Sequence, residues 1–311
     1  MSPAADAVRA RSGDRRFLER VRSPPFAARV HSVFDHAVNL RADDDRALYA
    51  LVSAQRDNAP ATLVVDVPDF GGLGLRPGAP VTLRDSGILC AGGVEIVLGG
   101  ARPWDATLPV LDDADLPLEW MERFVARHGV AGGIEPRLRD TTALERATAR
   151  TLADARAGLE TALRARDAAA VQAHASRLIG LGPGLTPAGD DFVVGVVIAC
   201  AVTGGRTKRD PCVDALRRVV DDSGDRTPDI SHATLAHAVR GRVRESLVEF
   251  VESIAAGDEE LMARRAHRVL AIGATSGTDI LSGLLAGLRA LSRPVGDQRA
   301  AARSSTRAIS P

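Results

Sequence analysis

Lysine is almost absent from this chain of 311 residues. Arginine supplies nearly all of the 40 basic residues, Lys208 is the one lysine, and 40 acidic residues bring the formal net charge to zero. A nucleic-acid-binding protein normally carries a basic excess, and attraction to an anionic membrane surface needs clustered basic charge. The sequence therefore predicts neither a nucleic acid nor a membrane as a partner, and it leaves one candidate residue for lysine chemistry.

Aromatic residues and cysteines are also scarce. Aromatic side chains make up 3% of the sequence, which disfavours the stacking surfaces that bind single-stranded nucleic acid or sugars. The three cysteines, Cys90, Cys200 and Cys212, show none of the close spacings of a zinc site or a disulfide framework. A reducing compartment is therefore the expectation.

The sequence has no long apolar segment. Residues 1–25 are rich in arginine and lack the apolar centre of a secretory signal. The longest apolar run, at residues 192–202, is shorter than the roughly 20 residues that cross a bilayer. We therefore expect a soluble, cytoplasmic protein.

Residues 26–117 are predicted to form a β-rich domain. A β-branched run at 61–67 and short apolar runs at 81–83, 88–90 and 94–98 are separated by turns that contain glycine. Strands this short are not stable alone, so they must close on themselves or dock on helices. The pattern predicts a small β-barrel or a sandwich-like domain.

Apolar residues recur at helical spacing from residue 118 onward, which predicts a helical domain over residues 118–292. One apolar stripe runs from Leu144 to Leu163, and another runs from Leu235 to Ile254. The expected fold class is therefore α+β, with the β-rich domain first and the helical domain second. The polar ends, residues 1–25 and 293–311, are predicted to be disordered tails.

A glycine-rich turn, GLGPGLTPAGDD at residues 180–191, opens an apolar helix. Thr186 followed by Pro187 predicts the helix start, because threonine caps free N–H groups and proline fits the first turn. The alternating glycines permit close backbone approach, and free N–H groups at a helix start favour an anion. Asp190 and Asp191 carry a desolvation cost unless they meet hydrogen-bond donors or a metal ion. The simpler interpretation is a capped, glycine-rich turn between helices.

A second copy of this pattern follows 88 residues later. The segment TSGTD at residues 275–279 places Gly277 and Asp279 in register with Gly189 and Asp191, and a glycine with two apolar residues follows in both copies. We interpret this as an internal duplication. If a pseudo-twofold axis relates the two helices, both N-termini converge on one pocket for an anion and a divalent cation. The alternative is that the glycines only allow close helix packing and the aspartates extend the caps.

The two glycine–aspartate motifs, together with HSVF at residues 31–34 and Asn39, resemble one bacterial family over about residues 26–292. It is the family of the AllH subunit of oxamate carbamoyltransferase. Members often carry an aromatic or bulky residue where this chain has Thr278. The resemblance implies a subunit of an enzyme in purine and allantoin catabolism, which exchanges a carbamoyl group between phosphate and oxamate and works with other subunits.

These observations predict a site for a small anionic substrate. Asp190, Asp191 and Asp279 are the predicted catalytic residues, and Asp190 and Asp191 are also the predicted ligands of a magnesium ion, the one cofactor expected. The predicted substrate-binding residues come from the two turns and from the β-rich domain: Gly182, Gly184, Thr186, Gly189, Thr275, Ser276, Gly277, Asn39 and His31.

The leading hypothesis is a subunit of a carbamoyltransferase-type enzyme that acts on anions such as oxamate and carbamoyl phosphate. One alternative is a stand-alone magnesium-dependent hydrolase or phosphotransferase, which would be active without partner subunits. Another is a non-catalytic subunit that binds a ligand or serves as a scaffold. Dependence of activity on partners and on the motif aspartates distinguishes the three.

Overall fold

The computed structural model describes residues 7–22, 24–90, 93–111, 116–137, 142–203 and 210–292. Two compact units divide the chain: unit 1 comprises Met1–Pro109 with Pro228–Val269, and unit 2 comprises Val110–Thr227 with Leu270–Pro311. Lys208 and the predicted tail at 293–311 lie outside the described residues. Among the helices described, none has the length and apolar composition that crossing a membrane requires.

Short strands in unit 1 close into a β-barrel. The described strands are, in chain order, β1 (Val8–Asp14), β2 (Phe26–Phe34), β3 (Ala37–Ala42), β4 (Leu48–Ser53), β5 (Thr62–Val65), β6 (Pro80–Arg84), β7 (Gly87–Cys90), β8 (Glu95–Val97) and β9 (Arg102–Trp104). Eight of them form a ring in the order β5-β4-β3-β2-β6-β7-β8-β1. Antiparallel pairing of β1 with β5 closes the ring, and β9 adds to β1. Inward side chains such as Leu40, Leu51 and Leu83 are fully buried, so the predicted β-rich domain is confirmed as a barrel.

Residues 8–22, which the sequence analysis placed in a disordered tail, are part of this unit. Strand β1 pairs with β5, β8 and β9, and helix α1 (Arg15–Arg22) buries Phe17, Leu18 and Val21. The ring of Phe17 stacks on that of Tyr49, with centroids 4.4 Å apart. The tail prediction is wrong for these residues because a high arginine content concealed one apolar helix face.

Ten α-helices are described, and they divide between the units. After α1 they are α2 (Leu118–His128), α3 (Ala143–Ala165), α4 (Ala168–Leu178), α5 (Ala188–Thr203), α6 (Pro211–Asp221), α7 (Asp229–Ala238), α8 (Glu245–Ala256), α9 (Glu259–Leu270) and α10 (Ser276–Leu291). Helices α1, α7, α8 and α9 up to Val269 belong to unit 1, and the others belong to unit 2. The predicted α+β fold class is confirmed.

The segment 228–269 belongs to the barrel unit, whereas the sequence placed it within one helical domain over 118–292. A buried ion pair ties this segment to the barrel, since Arg242 lies 2.6 Å from both carboxylate oxygens of Asp14. The apolar stripe predicted across the segment is shared by α7 and α8, because the chain turns between them at Gly241, whose φ is 70°. Helical periodicity alone does not reveal which domain a helix joins.

Helices α5 and α10 form the centre of unit 2. Nearly all their residues are buried, because neither sequence has a polar face. Helices α2 and α3 pack against α10, while α4 and α6 pack against α5. This arrangement places the two predicted glycine–aspartate motifs at the N-terminal ends of two adjacent, buried helices.

Candidate active site

The two copies of the motif form a symmetric helix crossing in unit 2. A Cβ atom on Gly195 of α5 would collide with the carbonyl oxygen of Ile280, and a Cβ atom on Gly283 of α10 would collide with that of Phe192. The two motifs are 88 residues apart, so Phe192 corresponds to Ile280 and Gly195 corresponds to Gly283. The two contacts are therefore equivalent. A pseudo-twofold axis therefore passes through the crossing. Glycine at both positions allows the two backbones to touch.

The N-terminal ends of these helices meet in one hydrogen-bonded cluster. The hydroxyl of Thr186, just before α5, donates to Oδ2 of Asp191 at 2.8 Å. The same hydroxyl oxygen lies 3.0 Å from the hydroxyl of Ser276, the first residue of α10. Thr186 thus links a carboxylate of the first motif to the start of the second. The structure brings these three predicted site residues together.

Asp191 is a buried acid, with 4% of its surface exposed. Burial raises the pKa of Asp191 to about 7, and the nearby charges of Asp279 and Asp190 act in the same direction. Hydrogen bonds from the Ser276 and Thr186 hydroxyls favour the ionised form and oppose that rise in the pKa. A carboxyl that titrates near pH 7 can both accept and release a proton at neutral pH.

Asp279, the equivalent residue of the second motif, is fully buried. Its Oδ1 accepts a hydrogen bond from the N–H of Ile134 at 2.7 Å, whereas its Oδ2 accepts none of ordinary geometry from a described residue. Burial raises the pKa of Asp279 to about 6, although the Ile134 N–H and the nearby Thr275 hydroxyl lower it. An unpaired buried oxygen is costly, so Oδ2 is a candidate contact for a ligand.

Asp190 has a different environment from the other two aspartates. Its Oδ1 accepts a hydrogen bond from the N–H of Gly180 at 2.7 Å, and its Oδ2 accepts one from the hydroxyl of Thr227. Sequence reasoning missed Thr227, which no local pattern connects to the motif. With both oxygens bonded, Asp190 holds the glycine turn and residue 227 against α5. These contacts indicate a structural role, and the geometry gives no support to the predicted catalytic one.

The glycine turn has positive φ values at its alternating glycines, but one expected anion donor in each motif is used within the fold. Gly180, Gly182 and Gly184 have φ values of 77°, 115° and 110°. The N–H of Gly189 donates to a backbone carbonyl at 2.9 Å, and that of Gly277 does the same at 3.0 Å. The expectation that these two N–H groups bind an anion is therefore corrected, because each already has an acceptor.

The threonines before the two helices do not act as simple caps. A capping side chain accepts a backbone N–H, yet the described hydrogen bonds of the Thr186 hydroxyl go to side chains. Thr275 makes no capping hydrogen bond with its side chain. A carboxylate attracts a hydroxyl proton strongly, which explains why Thr186 turns to Asp191. The side-chain capping predicted from the sequence is therefore not observed for Thr186 or Thr275.

The loop 129–134 covers the start of α10 and was missed by sequence reasoning. The N–H of Val130 donates to the Thr278 hydroxyl oxygen at 2.9 Å. A Cβ atom on Gly133 would collide with both carboxylate oxygens of Asp279, so glycine is needed at this close approach. The one available signal was the glycine-rich run GVAGG that opens the loop.

Family models match both parts of the chain. The model for oxamate carbamoyltransferase subunit AllH matches residues 178–288, and the model for the AllH family N-terminal domain matches residues 9–103. The chain belongs to the AllH family. No solved structure matches it. The AllH match at 178–288 contains both glycine–aspartate motifs, and the N-terminal match begins within β1, in agreement with the structural place of that strand.

Two predicted site residues lie in the N-terminal AllH domain and therefore in unit 1. The side-chain amide of Asn39 donates to the hydroxyl of Ser32 at 2.9 Å. Nε2 of His31 lies 3.0 Å from a carboxylate oxygen of Asp229, which also pairs with Arg41. The motif aspartates belong to unit 2. A contribution of His31 and Asn39 to the same pocket stays a prediction.

The carboxylates of the two glycine–aspartate motifs do not form a set of ligands suited to Mg²⁺. This ion prefers octahedral coordination by oxygen atoms that are free to bind it. Both oxygens of Asp190 are hydrogen-bonded, and Oδ2 of Asp191 accepts the Thr186 hydroxyl. Within the described ranges, no group of three His, Cys, Asp or Glu side chains is placed to hold a metal ion. We assign no chemical step to a metal, and magnesium stays a prediction from the sequence.

Proposed function

We propose that this chain is a subunit of a carbamoyltransferase for small anions of the oxamate and carbamoyl phosphate class, in nitrogen catabolism of the purine and allantoin type. The name of the AllH family supports the reaction and the association with other enzyme subunits. One observation carries a catalytic role for this subunit. Both motifs meet at Asp191 and Asp279, two buried carboxyls with pKa values of about 7 and about 6.

The proposed step transfers the carbamoyl group to the amide nitrogen of oxamate. The electron pair of that nitrogen forms a bond to the carbamoyl carbon. The bond from this carbon to the phosphate oxygen breaks, and its electron pair leaves with phosphate. The nitrogen loses one proton, which passes to Oδ2 of Asp279. Because this carboxyl is fully buried against Gly133, the transfer requires the loop 129–134 to move aside. The reverse reaction uses the same groups in the opposite order.

Asp279 suits the role of base better than Asp191 does. Its Oδ2 has no hydrogen bond of ordinary geometry from the described residues, and its pKa of about 6 leaves most of the carboxyl ionised at pH 7. Asp191 already accepts the Thr186 hydroxyl. We therefore assign Asp191 a positioning role, in which it holds the junction of the two motifs.

Turnover by the complex of this chain with its partner subunits tests the proposal. Asn at position 279 keeps the shape of the side chain but cannot take the proton, so Asp279→Asn should lower kcat roughly 10²- to 10⁴-fold. The control is Asp221→Asn, which changes an exposed carboxylate at the end of α6 and should leave kcat unchanged.

Two outcomes would contradict the proposal. Unchanged turnover in Asp279→Asn, with normal assembly of the complex, would favour a non-catalytic ligand-binding subunit. Full activity of the purified chain without any partner subunit would favour a stand-alone hydrolase or phosphotransferase.

A further inference from the structure

A cavity of about 650 Å³ lies in unit 2 beside the glycine turn. Three segments line it: part of the loop at 132–137, the first turns of α3 at 144–153, and the glycine turn at 181–183. Small-molecule sites span about 300–1,000 Å³, so the volume suits a metabolite. Leu144, the first residue of the apolar stripe predicted for this helix, is exposed at this cavity.

The cavity lining carries more positive than negative charge. Arg137, Arg146 and Arg150 belong to it, and Glu145 is its acidic member. The Glu145 carboxylate accepts the N–H of Thr142 at 2.7 Å in the capping box that starts α3, and the charges of Arg137 and Arg146 also act on it. Three guanidinium groups against one carboxylate still leave the lining positive. Arg146 and Arg150 are one helical turn apart and so share a face of α3.

The arginines are the groups that can meet an anion here. Guanidinium groups bind phosphate and carboxylate through paired N–H donors. Apart from Thr148, the uncharged lining consists of glycine, alanine, leucine and proline, so it offers little competing hydrogen bonding. The N–H groups of Gly189 and Gly277, two of the donors expected from the sequence, are bonded within the fold, whereas Gly182, another of them, lines this cavity.

Gly133 connects this cavity to the buried carboxyl of the second motif. Its backbone lines the cavity, and both carboxylate oxygens of Asp279 lie where its Cβ would be. A ligand that spans the cavity from the arginines to Gly133 therefore ends at the backbone that covers Asp279, whose Oδ2 accepts no hydrogen bond of ordinary geometry from a described residue.

We propose that this cavity is the anion subsite of the enzyme, in which Arg137, Arg146 and Arg150 bind the phosphate or carboxylate group of the substrate. The uncharged, nitrogen-bearing end of the substrate then lies at Gly133, whose backbone separates the cavity from the buried Asp279. This assignment rests on the proposed function for the identity of the substrate, whereas anion binding itself requires no turnover.

Calorimetric titration of the purified full-length chain with inorganic phosphate, and separately with oxamate, tests the subsite. The double variant Arg146→Gln/Arg150→Gln should weaken binding of at least one of these anions by about tenfold or more, because two charge-assisted hydrogen bonds are lost. The control, Arg164→Gln/Arg217→Gln, removes the same charge from exposed helix positions outside the cavity lining. It should change binding less than about twofold.

The two anions distinguish the group that the subsite recognises. If the cavity variant loses phosphate binding, the subsite recognises the phosphate group of the acyl phosphate. If it loses oxamate binding, the subsite recognises the carboxylate. Equal weakening in both double variants, unchanged binding in the cavity variant, or no binding of either anion in the millimolar range overturns the proposal.

The subsite and the proposed function can fail separately. Normal anion binding by the cavity variant, together with loss of turnover in Asp279→Asn, would remove the subsite and keep the function. Impaired anion binding by the cavity variant, together with normal turnover in Asp279→Asn, would keep the subsite and contradict the proposed function.

Discussion

Replacing Asp191 by asparagine should stabilise the protein at neutral and alkaline pH. Burial raises the pKa of Asp191 from its ordinary value of 3.8 to about 7. A carboxyl whose pKa rises on folding takes up a proton on folding between these two values. Its contribution to stability is therefore complete below the lower pKa and is lost as the pH rises through the higher one. Asparagine carries no charge, so the variant does not lose that contribution.

The size of this effect follows from the pKa change. A shift from 3.8 to about 7 corresponds to about 4 kcal/mol, at about 1.4 kcal/mol per pKa unit. Solvent screens the charge little, because Asp191 is 4% exposed. Local opening to water would relieve part of the cost of burying the charge. We therefore expect the free energy of unfolding of Asp191→Asn at pH 9 to be about 2 to 4 kcal/mol higher than that of the wild type. This difference should become smaller toward pH 5.

Urea unfolding of both proteins between pH 5 and pH 9 measures this difference. Subtracting the two curves removes the groups that titrate alike in both proteins. It leaves the Asp191 carboxyl and the effect of its charge on its neighbours Asp279 and Asp190. Asp221→Asn, at an exposed position of the same unit, should give a difference that stays near zero across the range. A flat difference for Asp191→Asn, or a variant that is less stable than the wild type at pH 9, would refute the reasoning.

Two other substitutions test packing and hydrogen bonding in the same unit. Gly283→Ala should lower the free energy of unfolding by about 1 to 3 kcal/mol, because its Cβ meets the backbone of α5, whereas Gly224→Ala, with no atom within 4 Å of its Cβ, should be tolerated. Equal Tm values for these two variants would contradict the close crossing. Thr227→Val removes the hydroxyl bonded to a buried oxygen of Asp190 and should cost about 1 to 3 kcal/mol. Thermal unfolding beside the exposed control Thr161→Val checks this, and equal losses would argue against the bond.

Repetition and turn chemistry made the helix pair predictable from the sequence. The fixed offset between the motifs identified Gly195 and Gly283 as equivalent residues, and the structure places both at the crossing. The turn glycines were predicted to allow close backbone approach, and Gly180 and Gly182 adopt positive φ in a turn whose backbone approaches other residues closely. Such features are visible in a sequence because the local backbone geometry tolerates few other residue types.

Partners that come from distant segments were beyond sequence reasoning. Thr227 bonds to Asp190 across 37 positions, and Ile134 bonds to Asp279 across 145. No local spacing marks such pairs, since they depend on how whole helices pack. The cavity arginines were missed for the same reason: their positions on α3 fit an ordinary solvated helix until the loop 132–137 is placed opposite them.

Duplication places two carboxyls at equivalent positions, and their surroundings make them chemically different. Asp191 meets hydroxyls of both motifs, whereas Asp279 receives one backbone N–H from Ile134 and keeps one oxygen without a hydrogen bond of ordinary geometry from the described residues. Burial is the main cause of the raised pKa of both residues, about 7 and about 6, but different hydrogen bonds oppose the rise in each. Two neighbouring acids in unlike environments allow one site to hold a proton on one carboxyl and accept a proton on the other. Their burial destabilises the fold at neutral pH, so helix packing alone does not explain why both carboxyls lie at the helix N-terminal ends. The proposed function gives each a use, with Asp279 as the base and Asp191 as the residue that holds the junction of the two motifs.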